Sequence, residues 1–452
     1  MLPRLAVLLV ALGLLVAGCS RESGQVPSSF GQPPEPPAGP LEPETKQALD
    51  LLFADLRFGV DRAAVETIGA SGDARLAWVV SDLLRLAQIG PEADDLVAAF
   101  ERLTGVTLGA DDLAQGPWKA VTDRLIAWEL PAPPDYVRYK AASLTLVEPR
   151  WEPFFADPEA DIDWRIVSWG GVLIDDRPLG DPDPCPQGCI PALDDPAVTD
   201  PAGGSWYPDD AIVFGVVVGG EARAYPKNIM EVHEMVNDRL GGRRIGMPYC
   251  TLCGSAQAYF TDGVGGRDLV LRTSGLLSRS NKVMYELGSK SVFDTFTGRA
   301  VSGPLREASV QLDQLTVVTS TWGAWKKAHP GTTIVARDGG LGRDYPADPL
   351  RGRDDSGPIF PIGSVDPRLP VQEHVVGVIA PDGTPLAFPA SAAKTALRAG
   401  ETVELGGVRL VPDGDGLRAE LDDGGDVVSH QAFWFAWSQF HPGTGVWIRR
   451  SG

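Results

Sequence analysis

The chain is 452 residues long, 43% hydrophobic and 22% charged, and its 60 acidic against 40 basic side chains leave a formal charge of -20. An acidic body without a basic block argues against nucleic acid and anionic lipid surfaces as partners of the folded part. The length allows two or three domains at the usual ~100–200 residues each.

The first element lies outside the fold. A lone Arg4 precedes the apolar run Leu5 to Val16, which closes on Val16-Ala17-Gly18-Cys19. The run is too short to span a bilayer, and small residues ahead of a cysteine suit a lipoprotein signal peptidase. Residues 1–18 are read as a lipoprotein signal peptide and Cys19 as the acylated N-terminus. The protein is therefore expected outside the cytoplasm, held to a bacterial membrane of the cell envelope by the lipid on Cys19. Residues 19–45 form a tether, since positions 20–45 carry seven prolines among Ser, Gly, Gln and Glu and so stay extended without a core.

Residues 46–147 are rich in Ala, Leu and Asp, with apolar positions at helical spacing: Leu76, Val79, Val80, Leu83 and Leu84, then Leu96, Ala99, Phe100 and Leu103, then Trp118, Val121, Leu125 and Trp128. Gly90-Pro91 separates the first two, a helix stop followed by a first-turn proline. This is a small helical module, resembling stacked helix pairs, that carries no chemistry of its own and offers a surface for a protein partner. From 150 to 450 the texture changes to short Val, Ile, Tyr and Trp runs broken by Gly, Pro and Asp, the mark of many short strands. The fold class is α+β: an all-helical N-terminal module, then a β-rich domain with short helices and an internal duplication.

The duplication shows in two pairs of segments. "VFGVVVGGEARAYP" (213–226) resembles "VVGVIAPDGTPLAFP" (375–389), each a strand, turn and strand ending in proline ahead of a helix, expected over Lys227 to Asp238 and Ala390 to Ala399. "AWKKAHPGTTIV" (324–335) matches "AWSQFHPGTGVW" (436–447). One unit is used twice, over 211–335 and 373–450. Seven residues past the proline stand His233 and Glu234 in the first copy but Ala396 and Leu397 in the second, which also lacks cysteine. The scaffold does not demand these polar groups, so they serve something other than folding.

His233-Glu234 lacks the second histidine of a zinc-protease helix, because position 237 is Asn. "RIGMPYCTLCGSAQAYF" alternates on both sides of Cys250-x-x-Cys253-Gly254, which sets the pair at a turn between strands, with Gly254 supplying the positive φ that brings both sulfurs to one side. That geometry is nearer a metal knuckle than a thioredoxin motif, whose first cysteine opens a helix. Further ligands could come from Cys185 and Cys189, or from His233 and Glu234 with Met247 or Met284 as softer donors suited to copper. In an oxidising compartment the same cysteines also read as structural disulfides or as a redox dithiol. His329 and His441 hold one position in the repeated HPGT unit, a helix-end role in folding. Without a Gly-x-Ser-x-Gly elbow, phosphate loop or dinucleotide fingerprint, no nucleotide cofactor is expected.

"GCIPALDDP", "EARAYPKNIMEVHEMVND", "YCTLCGSAQAYF", "TSGLLSRSNKVMYE", "TWGAWKKAHPGTTIV", "GRDY", "DPRLPVQEHVVGV" and "FWFAWSQFHPGT" occur in the order found in a bacterial family, domain of unknown function 3179. The chain resembles that family over about 180–447. The resemblance implies a fold and a site but no established activity. It implies that His233, Glu234, Asn237, Cys250, Cys253, Ser274, Gly275, Asn281, Met284 and Tyr285 match the family pattern. Cys185 and Cys189 depart from it and are expected to form a local disulfide, and threonine follows Cys250 where proline is more usual. The leading expectation is a copper or zinc site on Cys250, Cys253, His233 and Glu234, with Met284 as a further donor and Asn237, Tyr249, Ser274, Asn281 and Tyr285 around it. The alternatives are thiol–disulfide exchange through Cys250 and Cys253, and a non-catalytic envelope scaffold with structural disulfides.

Overall fold

The computed structural model describes residues 30–355 and 357–449. The signal peptide, Cys19 and the first part of the tether lie outside the described residues.

Among the described residues, seven α-helices fill the N-terminal region: Pro43–Asp55, Arg62–Ala70, Ala77–Leu86, Pro91–Thr104, Ala110–Ala114, Pro117–Ala127 and Tyr136–Val147. Local chemistry sets their ends. Three of them begin on proline, whose missing N–H costs nothing in the first turn. Asp61 accepts the Ala64 N–H at 2.7 Å as an N-cap, and Gly105 closes the fourth helix in the left-handed region. The apolar stripes read from the sequence meet in one core, where Leu76, Leu84, Leu96, Phe100, Val121 and Leu125 are fully enclosed. That core continues into the β-rich part through Val167, Ile174, Leu276, Val283 and Tyr285. Trp151 fixes the junction, donating its indole N–H to the Ser274 carbonyl at 2.7 Å.

Among the described residues the β-rich part holds five sheets, two of which have one plan. In the first, Val318–Thr321, Ile212–Val218, Glu221–Pro226 and Thr333–Val335 lie side by side, the last pair parallel. In the second, the same order runs Ser429–Phe433, His374–Ile379, Pro385–Pro389 and Gly445–Val446, again with a parallel last pair. Each hairpin leads into a helix, Lys227–His233 or Ala390–Arg398. Each outer strand leads into another, Trp322–Ala328 or Trp434–Phe440, capped by His329 or His441 packed on the tryptophan one turn earlier at 4.0 and 4.2 Å. Close approach of helix to strand requires glycine in both, because a Cβ on Gly215 would overlap the Trp325 ring and one on Gly377 the Trp437 ring.

The two sheets part after the first helix. The helix expected over Lys227 to Asp238 ends at His233, and Met235–Leu240 is a strand. Gly241 and Gly242 both take positive φ, the geometry of a tight hairpin, so antiparallel pairing with Arg243–Cys250 overrides the local helical pattern. This hairpin belongs to a sheet ordered Gln314–Leu315, Ala258–Phe260, Arg243–Cys250, Met235–Leu240 and Leu193–Asp194. Against it packs a ribbon of Leu271–Ser278 and Asn281–Glu286. The fully enclosed Arg272 ties the ribbon to the preceding segment, with Asp194 at 2.7 Å and Asp175 at 3.8 Å, while Asp175 also holds Arg177 at 2.6 Å.

Between Val335 and His374 the chain forms no strand and only the short turn Arg353–Asp355 among its described residues. It is anchored by Lys227 on Asp354, by Asn228 on the Pro346 carbonyl, and by the Ile362 and Gly363 amides on Asp123 of the helical region. Connections of this length without secondary structure usually cover functional surfaces.

Candidate functional site

The site is built at the end of strand Arg243–Cys250. Thr251–Cys253 make one tight turn, Gly254 takes φ +57, and Ser255–Ala256 return antiparallel so that Cys250 pairs with Ser255. The Phe433 ring lies 3.0–3.2 Å from where a Cβ on Gly254 would stand, so both conformation and space require glycine. The turn sends both sulfurs to one acceptor, the Ser280 carbonyl, at 3.6 Å from Cys250 Sγ and 3.4 Å from Cys253 Sγ. Cys250 is 2% exposed and Cys253 is fully buried, both are free thiols, and the half-buried Leu252 and Gly254 between and beside them reach the surface.

Lys282 completes the arrangement from the ribbon. Its backbone N–H donates to Cys250 Sγ at 3.4 Å. Its ammonium donates to the Glu234 carbonyl at 2.6 Å and pairs with the Glu234 carboxylate at 3.0 Å, whose other oxygen accepts from Thr251 at 3.2 Å. Glu234 caps the helix with φ +52, an uncommon conformation for a non-glycine residue, and this aims its side chain at Lys282.

The two thiols are electrostatically unequal. Burial opposes ionisation of both. For Cys250, the hydrogen bond from Cys253 and the amide and charge of Lys282 outweigh burial and the opposing Glu234 charge, so its thiol is held below its ordinary value. For Cys253, burial and the neighbouring Cys250 push the thiol well up. Burial also lowers Lys282, against the Glu234, Cys250 and Asp175 charges that hold its proton.

Of the residues singled out from the sequence, Cys250, Cys253 and Glu234 come together, through Lys282 and Thr251, and Asn281 precedes Lys282 on its strand. His233 turns elsewhere: Nδ1 lies 2.6 Å from the Pro191 carbonyl and Nε2 2.6 Å from the Tyr345 hydroxyl. Burial lowers it to about 4, so the neutral ring donates to Pro191 and accepts from Tyr345, itself pushed up to about 12 by burial. Asn237 bridges Asp194 and both backbone groups of Leu271, and Ser274 joins the Val283 carbonyl and the Leu276 amide. Tyr285 donates to the Asp175 carbonyl, Tyr249 packs on Phe214, and Met284 lies in a separate cluster with Met235 and Tyr259.

This donor set does not fit four-coordinate zinc. Among the described residues, one group of three His, Cys, Asp or Glu brings its ligand atoms within 4.8 Å of one another, namely Asp175, Cys185 and Cys189. There the sulfurs are paired at disulfide distance, with Cα atoms 5.5 Å apart, and the carboxylate is taken by Arg177 and the Ala192 amide. The expected Cys250–Cys253–His233–Glu234 set forms no such group, because both ring nitrogens of His233 and both oxygens of Glu234 have other partners.

Sequence reasoning missed Lys282, Thr251 and Tyr345. A lysine alternating with Met284 and Glu286 in a strand of six buried residues was the available signal for the first. Tyr345 stands in the "GRDY" motif, and only the crossing of the long segment brings it to His233. Three polar atoms at the site, Ser255 Oγ, Ser280 Oγ and Asn281 Oδ1, have no hydrogen-bond partner among the described residues.

No curated protein and no solved structure matches the chain. A family model does, over residues 187–413, a span that holds the dithiol, the Lys282–Glu234 pair, His233 and Tyr345. The chain belongs to that family, described as a protein of unknown function, DUF3179.

Proposed function

We propose that this protein is a thiol–disulfide oxidoreductase of the cell envelope, lipid-anchored through Cys19 and acting through Cys250 and Cys253. The observation that carries the reading is the asymmetry of the pair: Cys250 receives the Lys282 N–H at 3.4 Å and feels the charge of its ammonium, whereas no cation among the described residues favours the Cys253 thiolate. An attacking sulfur must be a thiolate, and a resolving sulfur must wait as a thiol until the mixed disulfide forms. Cys250 suits the first role and Cys253 the second. Ser255 and Ser280, whose backbones flank the two sulfurs, and Asn281 next along the chain each keep a buried side-chain oxygen without a partner among the described residues. Metal binding is the weaker reading, because both oxygens of Glu234 and both ring nitrogens of His233 already have partners, which leaves the two sulfurs without a third donor from the expected set.

The test is equilibration of the purified chain in glutathione buffers, followed by mass spectrometry of alkylated peptides. Cys250–Cys253 should form a disulfide with a reduction potential above the ~-300 mV below which structural disulfides usually lie. Cys253→Ser should accumulate a mixed disulfide on Cys250, and Cys250→Ser should not react. Thiols that stay reduced in every buffer and retain a copper ion in the native mass spectrum would replace this reading with a two-thiolate soft-metal site.

A further inference from the structure

Where the helical region meets the β-rich part, a small cavity gathers four cations of an otherwise acidic chain: Arg85, Lys140, Arg165 and Arg279. Two of them have counterions. Lys140 holds Asp82 at 2.5 Å, to which Tyr136 also donates at 2.8 Å, and Arg165 holds Asp163 at 2.8 Å. The other two have none. Arg85, half-buried in the last turn of Ala77–Leu86, donates from Nε to the Trp169 carbonyl at 2.8 Å. Its guanidinium carbon lies 4.6, 5.1 and 5.7 Å from the ring centres of Trp118, Trp169 and Phe360. Among the described residues no carboxylate pairs with it, its two terminal nitrogens have no acceptor, and burial alone lowers it to about 10. Arg279 stands at the tip of the ribbon with φ +54, its amide on the Ile166 carbonyl and its Nη1 3.3 Å from the Ile362 carbonyl. Burial lowers it too, against the charges of Asp163 and Glu129. Asp163 is already bonded by Arg165, and Glu129 lies outside the cavity lining. The Phe360 ring on one head and the Ile362 carbonyl on the other belong to residues two apart, at most ~7 Å of chain, and Pro361 between them lines the cavity.

Four cations against Asp82 and Asp163 leave two positive charges uncompensated. Aromatic rings attract a guanidinium without cancelling its charge, and arginine is seldom enclosed unless paired. We propose that this cavity is a binding site for a small anion, held between Arg85 and Arg279. Its volume, about 20 Å³, admits one guest little larger than a water molecule. That limits the ligand to a monovalent ion such as chloride or nitrate, or to the carboxylate head of a small acid. The two free ends of the Arg85 guanidinium form the fork that suits a planar two-oxygen group. Bound there, the anion ties the helical region to the ribbon and to the long connection, because its two cations come from the first two and both touch the third.

The experiment uses the whole mature chain, unfolded in urea at constant ionic strength while gluconate, too large for the cavity, is replaced stepwise by chloride, nitrate or acetate. An anion that binds the folded state alone raises the midpoint as its concentration passes its Kd. The wild-type midpoint is expected to rise with at least one of the three. Arg85→Gln and Arg279→Gln should each weaken the apparent affinity by roughly tenfold or more, through loss of a charge-assisted hydrogen bond. Arg243→Gln, which removes a surface cation already paired with Asp262, should leave that affinity unchanged. A rise with acetate alone marks the carboxylate of a larger ligand, and a rise with chloride or nitrate alone marks a free inorganic ion. A midpoint that is the same in gluconate as in every small anion overturns the site, and so does a rise that persists in full in both arginine variants. If Arg85→Gln does not fold, Arg279→Gln decides alone, because its side chain gives up a single hydrogen bond.

Discussion

The two like sheets answer the same packing problem and then diverge at one residue. In the second, the helix after the hairpin runs from Ala390 to Arg398 and the chain turns into the simple hairpin Val408–Asp413 and Gly416–Leu421. In the first, the helix stops at His233, Glu234 takes a left-handed conformation, and the chain enters the sheet and ribbon that hold the dithiol. The shared parts are apolar: glycine under tryptophan, and histidine on the same tryptophan. The parts confined to the first are charged and buried. What folding requires is present twice, and what is present once gathers around Cys250.

The comparison is broken most severely by striking at a charge with no counterpart in the second sheet. Arg272→Met leaves Asp194 enclosed without its cation and Asp175 with Arg177 alone, and removing one partner of a buried pair typically costs about 3–5 kcal/mol. Urea unfolding should show that loss. A cost under about 1 kcal/mol would mean that Arg177 alone neutralises the cluster.

Buried histidines give the next effect. His233 is lowered to about 4 by burial, against the Pro191 hydrogen bond, with Arg343 and Arg177 adding to the shift. His430, between Gln257 and Gln314, is lowered to about 3 by burial and by nearby His441. The unfolded chain takes these protons first, so stability is full above about pH 6.5 and falls as pH drops toward 4, by about 1.4 kcal/mol per histidine per pH unit. Urea midpoints measured from pH 7 to 4.5 should fall accordingly, and a flat profile would contradict neutral histidines in the fold.

Glycine contacts supply an effect that should be equal in the two sheets. Gly215→Ala and Gly377→Ala each force a methyl into an indole ring, and overpacking of this kind costs typically about 1–3 kcal/mol. Both should lower stability by a similar amount, and Gly215→Ala should leave the reactivity of Cys250 unchanged. Unequal costs would show that the two sheets resemble each other in order of strands but not in rigidity.

This equality was legible in the sequence, and the site was so only in part. Strand, turn, strand and proline at 213–226 and 375–389 are local patterns, and so are the helical stripes of 46–147 and the turn at Cys250 to Gly254. Local chemistry writes them directly. The end of the helix at His233 was misread because "KNIMEVHEMVND" has a helical pattern throughout, and the competing hairpin depends on Gly241-Gly242 and a strand further on. The partners of His233 were out of reach for another reason: Pro191 and Tyr345 lie 42 and 112 positions away, and nothing in periodicity joins them.

The smallest effect bears most directly on what separates the two regions. Lys282→Met keeps the backbone N–H on Cys250 and the Cys253 hydrogen bond but removes the ammonium, and it leaves the Glu234 carboxylate with Thr251 alone. The Cys250 thiol should ionise at a higher pH, because the cation that favours its thiolate is gone while the Glu234 carboxylate stays. Thiolate absorbance followed against pH, in a Cys253→Ser background so that one sulfur titrates, measures this directly. An unmoved titration would assign the low thiol to its hydrogen bonds, from position 253 and from the Lys282 amide, and not to the cation. A raised one assigns it to the cation, which the second sheet lacks.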